Sequence, residues 1–137
     1  MKLKSLLPLL LLPAALSISG TGQAQTKIKP VQSKAHHMVV IWLKRHGDEN
    51  ARKKYIEGSK RLAKLPGVLD YHVGTPLAVK REQGGHAVDD SYDVAVSSTF
   101  ESKQALENYL KHPEHHRVIK EVLKPLVDQY KVYDFVE

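Results

Sequence analysis

The 137-residue chain contains no cysteine. This absence excludes a disulfide framework and a cysteine nucleophile, so the folded domain must be stabilised by burial of apolar surface. Long hydrophobic runs are missing as well, because the apolar stretch Leu6–Leu16 has only 11 residues, two of them proline. A helix that spans a membrane needs about 20 apolar residues, so this stretch is too short to cross a bilayer.

The chain also lacks a concentration of charge of one sign. Without Lys2 and Lys4, its 21 basic residues fall to 19 against 15 acidic ones, a net charge of +4. The excess is scattered, and no basic arm interleaved with aromatic residues occurs, which argues against a nucleic-acid partner. A Gly-rich phosphate loop and a G-x-S-x-G elbow are absent too, so neither of these sites is indicated.

The N-terminus has the pattern of an export signal. Lys2 and Lys4 precede the apolar stretch, and Gly22-Gln23-Ala24 resembles the small-x-small cleavage site of a secretory signal. We predict a signal peptide over residues 1–24, a flexible leader over residues 25–35 and one domain over residues 36–137. The mature protein would begin near Gln25, be secreted or periplasmic, and make no membrane contact; an uncleaved anchor is the alternative.

The first strand and the first helix are recognised by the different spacing of their apolar residues. The segment His36–Lys44 is rich in β-branched and aromatic residues and is apolar on both faces, which is typical of a strand covered on both sides. Asp48 is a suitable N-cap for a helix that Pro66-Gly67 ends. One stripe of that helix consists of Tyr55, Gly58, Leu62 and Leu65. The glycine indicates close approach of another backbone, or else a tolerated defect.

The remaining elements complete a recognisable order. Three further segments are predicted as strands: Val68–Thr75, Tyr92–Phe100 and Gln129–Val136. Two short helices lie before the last strand, one capped by Ser102 and one beginning at His112-Pro113. The order β-α-β-β-α(α)-β predicts an α+β, ferredoxin-like fold, in which a four-stranded antiparallel sheet carries its helices on one face. Because the second face of such a sheet would be bare and apolar, we expect a homodimer that closes a dimeric α/β barrel.

Several motifs between His36 and Glu137 resemble one family. The segments HHMVVIWLK, LPGVLDYHVG, TFES, ALENYLKHPEH and VYDF occur in this order. Together they are similar to the Dabb domain, the family of stress-responsive dimeric α/β-barrel proteins. The resemblance implies a ferredoxin-like subunit that dimerises into a barrel. Many members of the family are known only as stable stress-induced oligomers, and a few are enzymes on aromatic or polyketide-derived small molecules.

One plant member of this family, olivetolic acid cyclase, implies a set of pocket residues. Its pocket tyrosine and histidine match Tyr109 and His115, and a histidine of its first strand matches His37. In the mechanism that this resemblance implies, His115 is a general base, Tyr109 donates a hydrogen bond to the developing oxyanion, and His37 orients the substrate. The chain departs from that enzyme at Val94, where the cyclase has a further pocket histidine; the departure concerns the cyclase chemistry rather than the pocket.

The residues of the turn HPEHH (residues 112–116) first indicate a break between two helices. Pro113 fits the first position of a helix and pushes His112 out of helical geometry, while His116 would face solvent. A metal site is the alternative, because His112 and His116 are four residues apart and His36-His37 could add ligands. Since Pro113 lies between them, the pair is not on a regular turn, and we favour no metal site.

His115 differs from its neighbours because it precedes Val118 by three residues and Ile119 by four. It would therefore share the buried stripe, where an imidazole with an ordinary pKa of about 6.5 beside the Tyr109 phenol could transfer a proton. The alternative is that Tyr109 is a core aromatic residue and His115 a satisfied buried histidine. The candidate ligand-binding residues are His37, Val94, Tyr109, His112 and His115.

The remaining titratable groups are interpreted as surface residues, among them the aspartates Asp89, Asp90 and Asp93.

We expect an exported homodimer that needs no cofactor and binds a small, aromatic or apolar ligand. Acid–base chemistry by His and Tyr side chains at this site is left open. A non-enzymatic stress or structural oligomer without a ligand is the rival hypothesis, and a histidine-rich metal-binding protein is a lesser one. Unfilled apolar volume beside Tyr109 and His115 would favour the ligand hypothesis.

Overall fold

The computed structural model describes residues 33–137. The predicted signal peptide and most of the predicted leader lie outside the described residues. The bounds of the strands and helices are β1 (Ala35–Leu43), α1 (Glu49–Ser59), β2 (Val68–Gly74), β3 (Val94–Phe100), α2 (Lys103–Lys111), α3 (Pro113–Val118) and β4 (Val127–Val136). A π-helical turn over Ile119–Leu123 and a 3-10 turn over Lys124–Leu126 connect α3 to β4. None of the helices in this part of the chain has the length and apolar content to cross a bilayer.

The sheet confirms the predicted α+β, ferredoxin-like architecture. Its four strands lie in the order β2-β3-β1-β4, and every neighbouring pair is antiparallel. β1 lies between β3 and β4, so that Ile41 pairs with Val94 on one side and with Tyr130 on the other. β4 begins at Val127, two residues before the predicted start, because a bulge between Trp42 and Leu43 continues its pairing with β1.

The core lies between one face of the sheet and the helices. We call this face, which contains His37, Val39 and Ile41 of β1, the inner face. Its fully buried members are Ile41, Val94 and Phe100. The predicted stripe of α1 packs on it, and the helical residues of the core are Ala51, Tyr55, Leu62, Leu106, Tyr109, Val118 and Leu123.

The predicted helix caps are present. The carboxylate of Asp48 accepts a hydrogen bond from the backbone N–H of Ala51 at 2.7 Å, and the hydroxyl of Ser102 accepts one from that of Ala105 at 3.1 Å. These bonds satisfy donors that have no partner within the first turn of a helix. α1 itself ends at Ser59, before the predicted stop, and a 3-10 turn over Leu62–Lys64 continues its buried stripe.

Gly58 makes a close contact, but with side chains rather than with a second backbone. A Cβ atom at this position would lie 2.7 Å from Cγ1 of Val122 and 3.1 Å from Cδ2 of Leu123. Both residues belong to the π-helical turn. The glycine therefore allows that turn to pack directly on α1, and the predicted approach of another backbone is wrong.

Asp93 also differs from its predicted place in a solvated loop, because it is completely buried. Its carboxylate accepts hydrogen bonds from the backbone N–H groups of Leu43 (2.9 Å) and Gly47 (2.8 Å). Arg52 donates two more, at 3.1 and 3.0 Å, and His46 Nδ1 lies at 2.9 Å. Burial alone would raise the pKa of Asp93, but these bonds outweigh it and lower the pKa to about 2. The buried charge fastens the β1–α1 connection to the start of β3.

Apolar side chains of β1 and β4 remain exposed on both faces of the sheet. On the outer face, which the helices do not cover, Met38 is 36% exposed and lies opposite Tyr133, which is 52% exposed. β4 is uncovered on its inner side as well, where Tyr130 is 64% exposed and Val132 43%. Since β4 is also an edge strand, it offers unpaired backbone groups beside these apolar side chains.

Candidate functional site

A cavity of about 320 Å³ lies between the inner face of the sheet and the helices. This volume is at the lower end of the roughly 300–1,000 Å³ that small-molecule sites occupy. The sequence-predicted residues His37, Tyr109 and His115 all line it. The rest of its wall is formed by aliphatic side chains, by three further tyrosines, Tyr55, Tyr71 and Tyr130, and by Lys124.

His115 and Tyr109 contribute two adjacent polar groups to the cavity wall. The two rings meet edge to face with centroids 4.7 Å apart, and Tyr109 in turn packs against Phe100 at 4.8 Å. Nδ1 of His115 is buried and has no hydrogen-bond partner within residues 33–137. A buried polar atom without a partner costs free energy, so the position of this imidazole is not explained by hydrogen bonding within the described chain.

Burial changes the protonation of both groups. It lowers the pKa of His115 to about 4, with a smaller contribution from the neighbouring imidazoles, so His115 is neutral at pH 7. Burial also raises the pKa of Tyr109, and the nearby phenols of Tyr71 and Tyr55 raise it further. Tyr109 therefore stays protonated and can donate a hydrogen bond. His115 can donate or accept one, but its low pKa makes it a weaker general base than the sequence predicted.

The histidine turn explains how His115 reaches the cavity. Pro113 begins α3, and His112 before it adopts extended backbone angles (φ −64°, ψ 133°), as predicted. Nδ1 of His112 accepts a hydrogen bond from the backbone N–H of Glu114 at 3.1 Å. His112 thus caps α3 and is not among the residues that line the cavity, while His116 is exposed.

The segment after α3 is shaped by the π-helical turn. Such turns are rare and occur often at functional sites, because the wider turn redirects the side chains that follow it. Here Ile119 and Leu123 line the cavity from the turn itself, and Lys124 lines it from the next residue. The sequence predicted a disturbance at Pro125 but not this change of helix type.

His37 has a carboxylate partner that sequence reasoning missed. Its Nδ1 lies 2.6 Å from Oδ1 of Asp134, the residue directly opposite on β4. Since an ionised carboxylate only accepts, Nδ1 carries the proton, and Nε2 is the ring nitrogen available to a ligand. The backbone carbonyl of His37 accepts a hydrogen bond from the buried Ser98 hydroxyl at 3.1 Å, which accounts for the polar residue on the inner face of β3.

Val94 does not belong to the cavity wall. It is completely buried in the core opposite Ile41, and the next inward residue of β3, Val96, lines the cavity instead. The structure therefore brings three of the five predicted ligand-binding residues together and leaves Val94 and His112 outside. A signal for Asp134 was present in the sequence, because the alternation of VYDF places it on the same side of β4 as Tyr130 and Val132.

The histidines do not converge with acidic residues on a common point. Among residues 33–137, no three His, Cys, Asp or Glu side chains are grouped as a metal ion requires. The lone pair of His112 Nδ1 is also occupied by the cap of α3.

The sequence matches a known family over the whole described domain. The model of the Stress responsive A/B Barrel Domain (Dabb) matches residues 35–137. A stress-response A/B barrel domain-containing protein of Arabidopsis thaliana is 27% identical over 146 aligned positions, covering 94% of this chain and 52% of the plant protein. The chain thus spans about half the length of this curated relative.

Solved structures share the fold. A Dabb family protein with a ferredoxin-like fold from Mesorhizobium loti matches with a TM-score of 0.61 at 22% identity, covering 77% of this chain and 98% of that one. A dimeric ferredoxin-like protein of unknown function from Thermobifida fusca gives 0.60 at 17% identity, covering 77% and 92%. A hydroxynitrile lyase from Passiflora edulis gives 0.59 at 21% identity, covering 79% and 95%. At these identities the likeness shows the fold alone.

Proposed function

The chain belongs to the Stress responsive A/B Barrel Domain (Dabb) family, and from this premise we propose that it binds a small, aromatic or apolar molecule in the cavity beneath its helices. One observation carries the proposal: about 320 Å³ of space lies beside the side chains of Tyr109 and His115, lined mostly by apolar and aromatic residues. In the rival hypothesis of a purely structural oligomer, large side chains would fill this space. The aromatic wall favours a ligand with a ring, because offset or edge contacts between rings add to the gain from burial.

The test uses isothermal titration with simple phenols and naphthols on the wild-type protein and on Tyr109→Phe and His115→Gln. We expect each variant to weaken binding by about fivefold to tenfold, since each removes one buried hydrogen bond worth about 1 kcal/mol. His86→Gln, in the exposed loop between β2 and β3, is the matched control and should bind as the wild type does. Loss of stability in both variants without any change in binding would favour the core-residue interpretation.

A second candidate function is proton transfer to or from the bound molecule. It is favoured by the Asp134–His37 pair, because the carboxylate fixes the imidazole tautomer and would stabilise the imidazolium formed when Nε2 takes a proton. Tyr109, whose pKa is raised, would donate to the oxygen on which charge develops. Exchange of an acidic C–H proton of a bound ketone with deuterated solvent, followed by NMR, measures this step. The exchange should fall at least tenfold in Asp134→Asn, and an unchanged rate would reject the role.

The functional unit that we propose is a homodimer. The apolar residues Met38 and Tyr133 on the outer face, and the exposed edge strand β4, support this assembly. The Thermobifida fusca structure, which is described as dimeric, has the same fold.

We also propose export after cleavage near Ala24-Gln25. N-terminal sequencing of the protein from the periplasm and medium of expressing cells would reveal an intact Met1 if this were wrong.

A further inference from the structure

We infer that the ligand of this cavity is an amphipathic anion, with an aromatic or apolar body and one carboxylate-like group that Lys124 binds. The inference rests on the proposed function, because it names the class of ligand for the same cavity. It starts from the distribution of charge and exposure along the cavity wall.

Lys124 is the one residue with a permanent charge among the described residues that line the cavity, and no carboxylate is among them. The carboxylate of Asp134 is bonded to His37 and is not part of the wall. Within residues 33–137, no acidic side chain lies within 4 Å of the Lys124 ammonium group. The ammonium group of Lys124 is therefore available to an anionic group of a ligand.

The exposure of the lining residues separates a floor from a mouth. His37 and Tyr109 are 8% and 2% exposed and form the floor, whereas Lys124 is exposed and Tyr130 is 64% exposed. An anionic group at Lys124 would keep part of its hydration, so the large cost of burying a charge does not arise. The apolar body of the same molecule would point inward, toward the aliphatic and aromatic wall.

The polar groups deeper in the wall offer hydrogen bonds but no charge. The phenols of Tyr55, Tyr71 and Tyr109 are neutral at pH 7, and burial raises their pKa values further; burial also lowers the pKa of His115, which is therefore neutral at pH 7. A second anionic group on the ligand would find no cation there. The wall thus fits a molecule whose single charge lies at one end.

The experiment compares 2-naphthoate with 2-naphthamide, which has nearly the same shape and no charge, by isothermal titration at low and at physiological salt. Wild-type protein should bind the carboxylate about tenfold more tightly than the amide, because a charge-assisted hydrogen bond is stronger than a neutral one. The preference should shrink as salt increases, since the mouth is open to solvent. In Lys124→Gln the two compounds should bind equally, within about twofold.

Lys120→Gln is the matched control, because Lys120 is an exposed lysine of the π-helical turn that does not line the cavity. It removes the same charge and should keep the full preference. Equal binding of the two compounds by the wild type would overturn this inference and leave the apolar ligand cavity intact. A preference that survives in Lys124→Gln would overturn it as well, and binding of neither compound would reject the proposed cavity ligand together with this inference.

Discussion

At the scale of single residues, the environments of three histidines differ from those that the sequence predicted. His115 reaches the cavity, but burial makes it a neutral hydrogen-bonding group rather than a base with an ordinary pKa. His37 was predicted to orient a substrate, and its Nδ1 contacts the carboxylate of Asp134, which fixes the ring tautomer. His112 serves the backbone as a helix cap. Three histidines that look alike in the sequence therefore have three different environments.

The low pKa of His115 gives stability a definite dependence on pH. Since His115 has a pKa of about 4 in the folded protein and about 6.5 when unfolded, the unfolded chain binds the extra proton between these values. The contribution is fully present above pH 6.5 and is lost as the pH falls toward 4. Urea unfolding of the wild type should therefore show a decline over this range that is clearly smaller in His115→Gln. His86→Gln should follow the wild type, and parallel profiles for wild type and His115→Gln would contradict the half-buried position of the imidazole.

Helical spacing placed His115 on the buried stripe, and the resemblance to a plant member of the family added His37 and Tyr109; all three line the cavity. The sequence could not identify Asp134 as the partner of His37, since that pair depends on the register between strands far apart in the chain. It also misplaced Asp93, because a lone aspartate beside a loop does not reveal that four residues will donate hydrogen bonds to it. Such partners exist only after the chain has folded.

At the scale of elements, the contact between α1 and the π-helical turn holds the wall of the cavity. Gly58 is the point of contact, because no side chain fits between the helix and Val122. The sequence indicated the close approach through the cost of a glycine within a helix. It could not say what approached, because the preceding helix gives no signal of where a π-helical turn will fall.

Replacement of Gly58 tests this contact directly. Ala is favoured over Gly in a helix by about 1 kcal/mol, but a Cβ atom 2.7 Å from Val122 overpacks the core, which typically costs about 1–3 kcal/mol. We expect Gly58→Ala to lower the free energy of unfolding, and Val122→Ala to relieve the clash. In urea unfolding, the double variant should be more stable than the sum of the single effects by about 1 kcal/mol or more. Additive effects would mean that the two residues do not touch.

At the scale of the whole molecule, the predicted fold is confirmed, and the exposed surfaces extend further than predicted. The bare outer face follows from the apolar alternation of β1 on both sides. The exposure of β4 on its inner side was not visible in the sequence, because it depends on how far the helices reach across the sheet. Tyr130 and Val132, on the inner face of β4, are open to solvent in the single subunit.

The proposed homodimer predicts a selective response to a charge placed on the outer face. Tyr133→Asp would introduce a carboxylate where two apolar sheet surfaces meet, and burial of an unpaired charge strongly disfavours association. Multi-angle light scattering at micromolar concentration should give the mass of two chains for the wild type and of one chain for this variant. Leu77→Asp is the control, because Leu77 is an equally apolar residue, 80% exposed in the β2–β3 loop. If the wild type has the mass of one chain, the proposed assembly is wrong.

The π-helical turn over Ile119–Leu123 has a consequence for how this domain can diversify. It holds one residue more than an α-helical turn would, so a single-residue deletion there would rotate the side chains that follow by about 100°. Another residue would then replace Lys124 at the mouth of the cavity, while the strands would keep their pairing within the sheet. For the proposed ligand, the deletion of one codon would therefore change the charge at the cavity mouth without any substitution in the sheet.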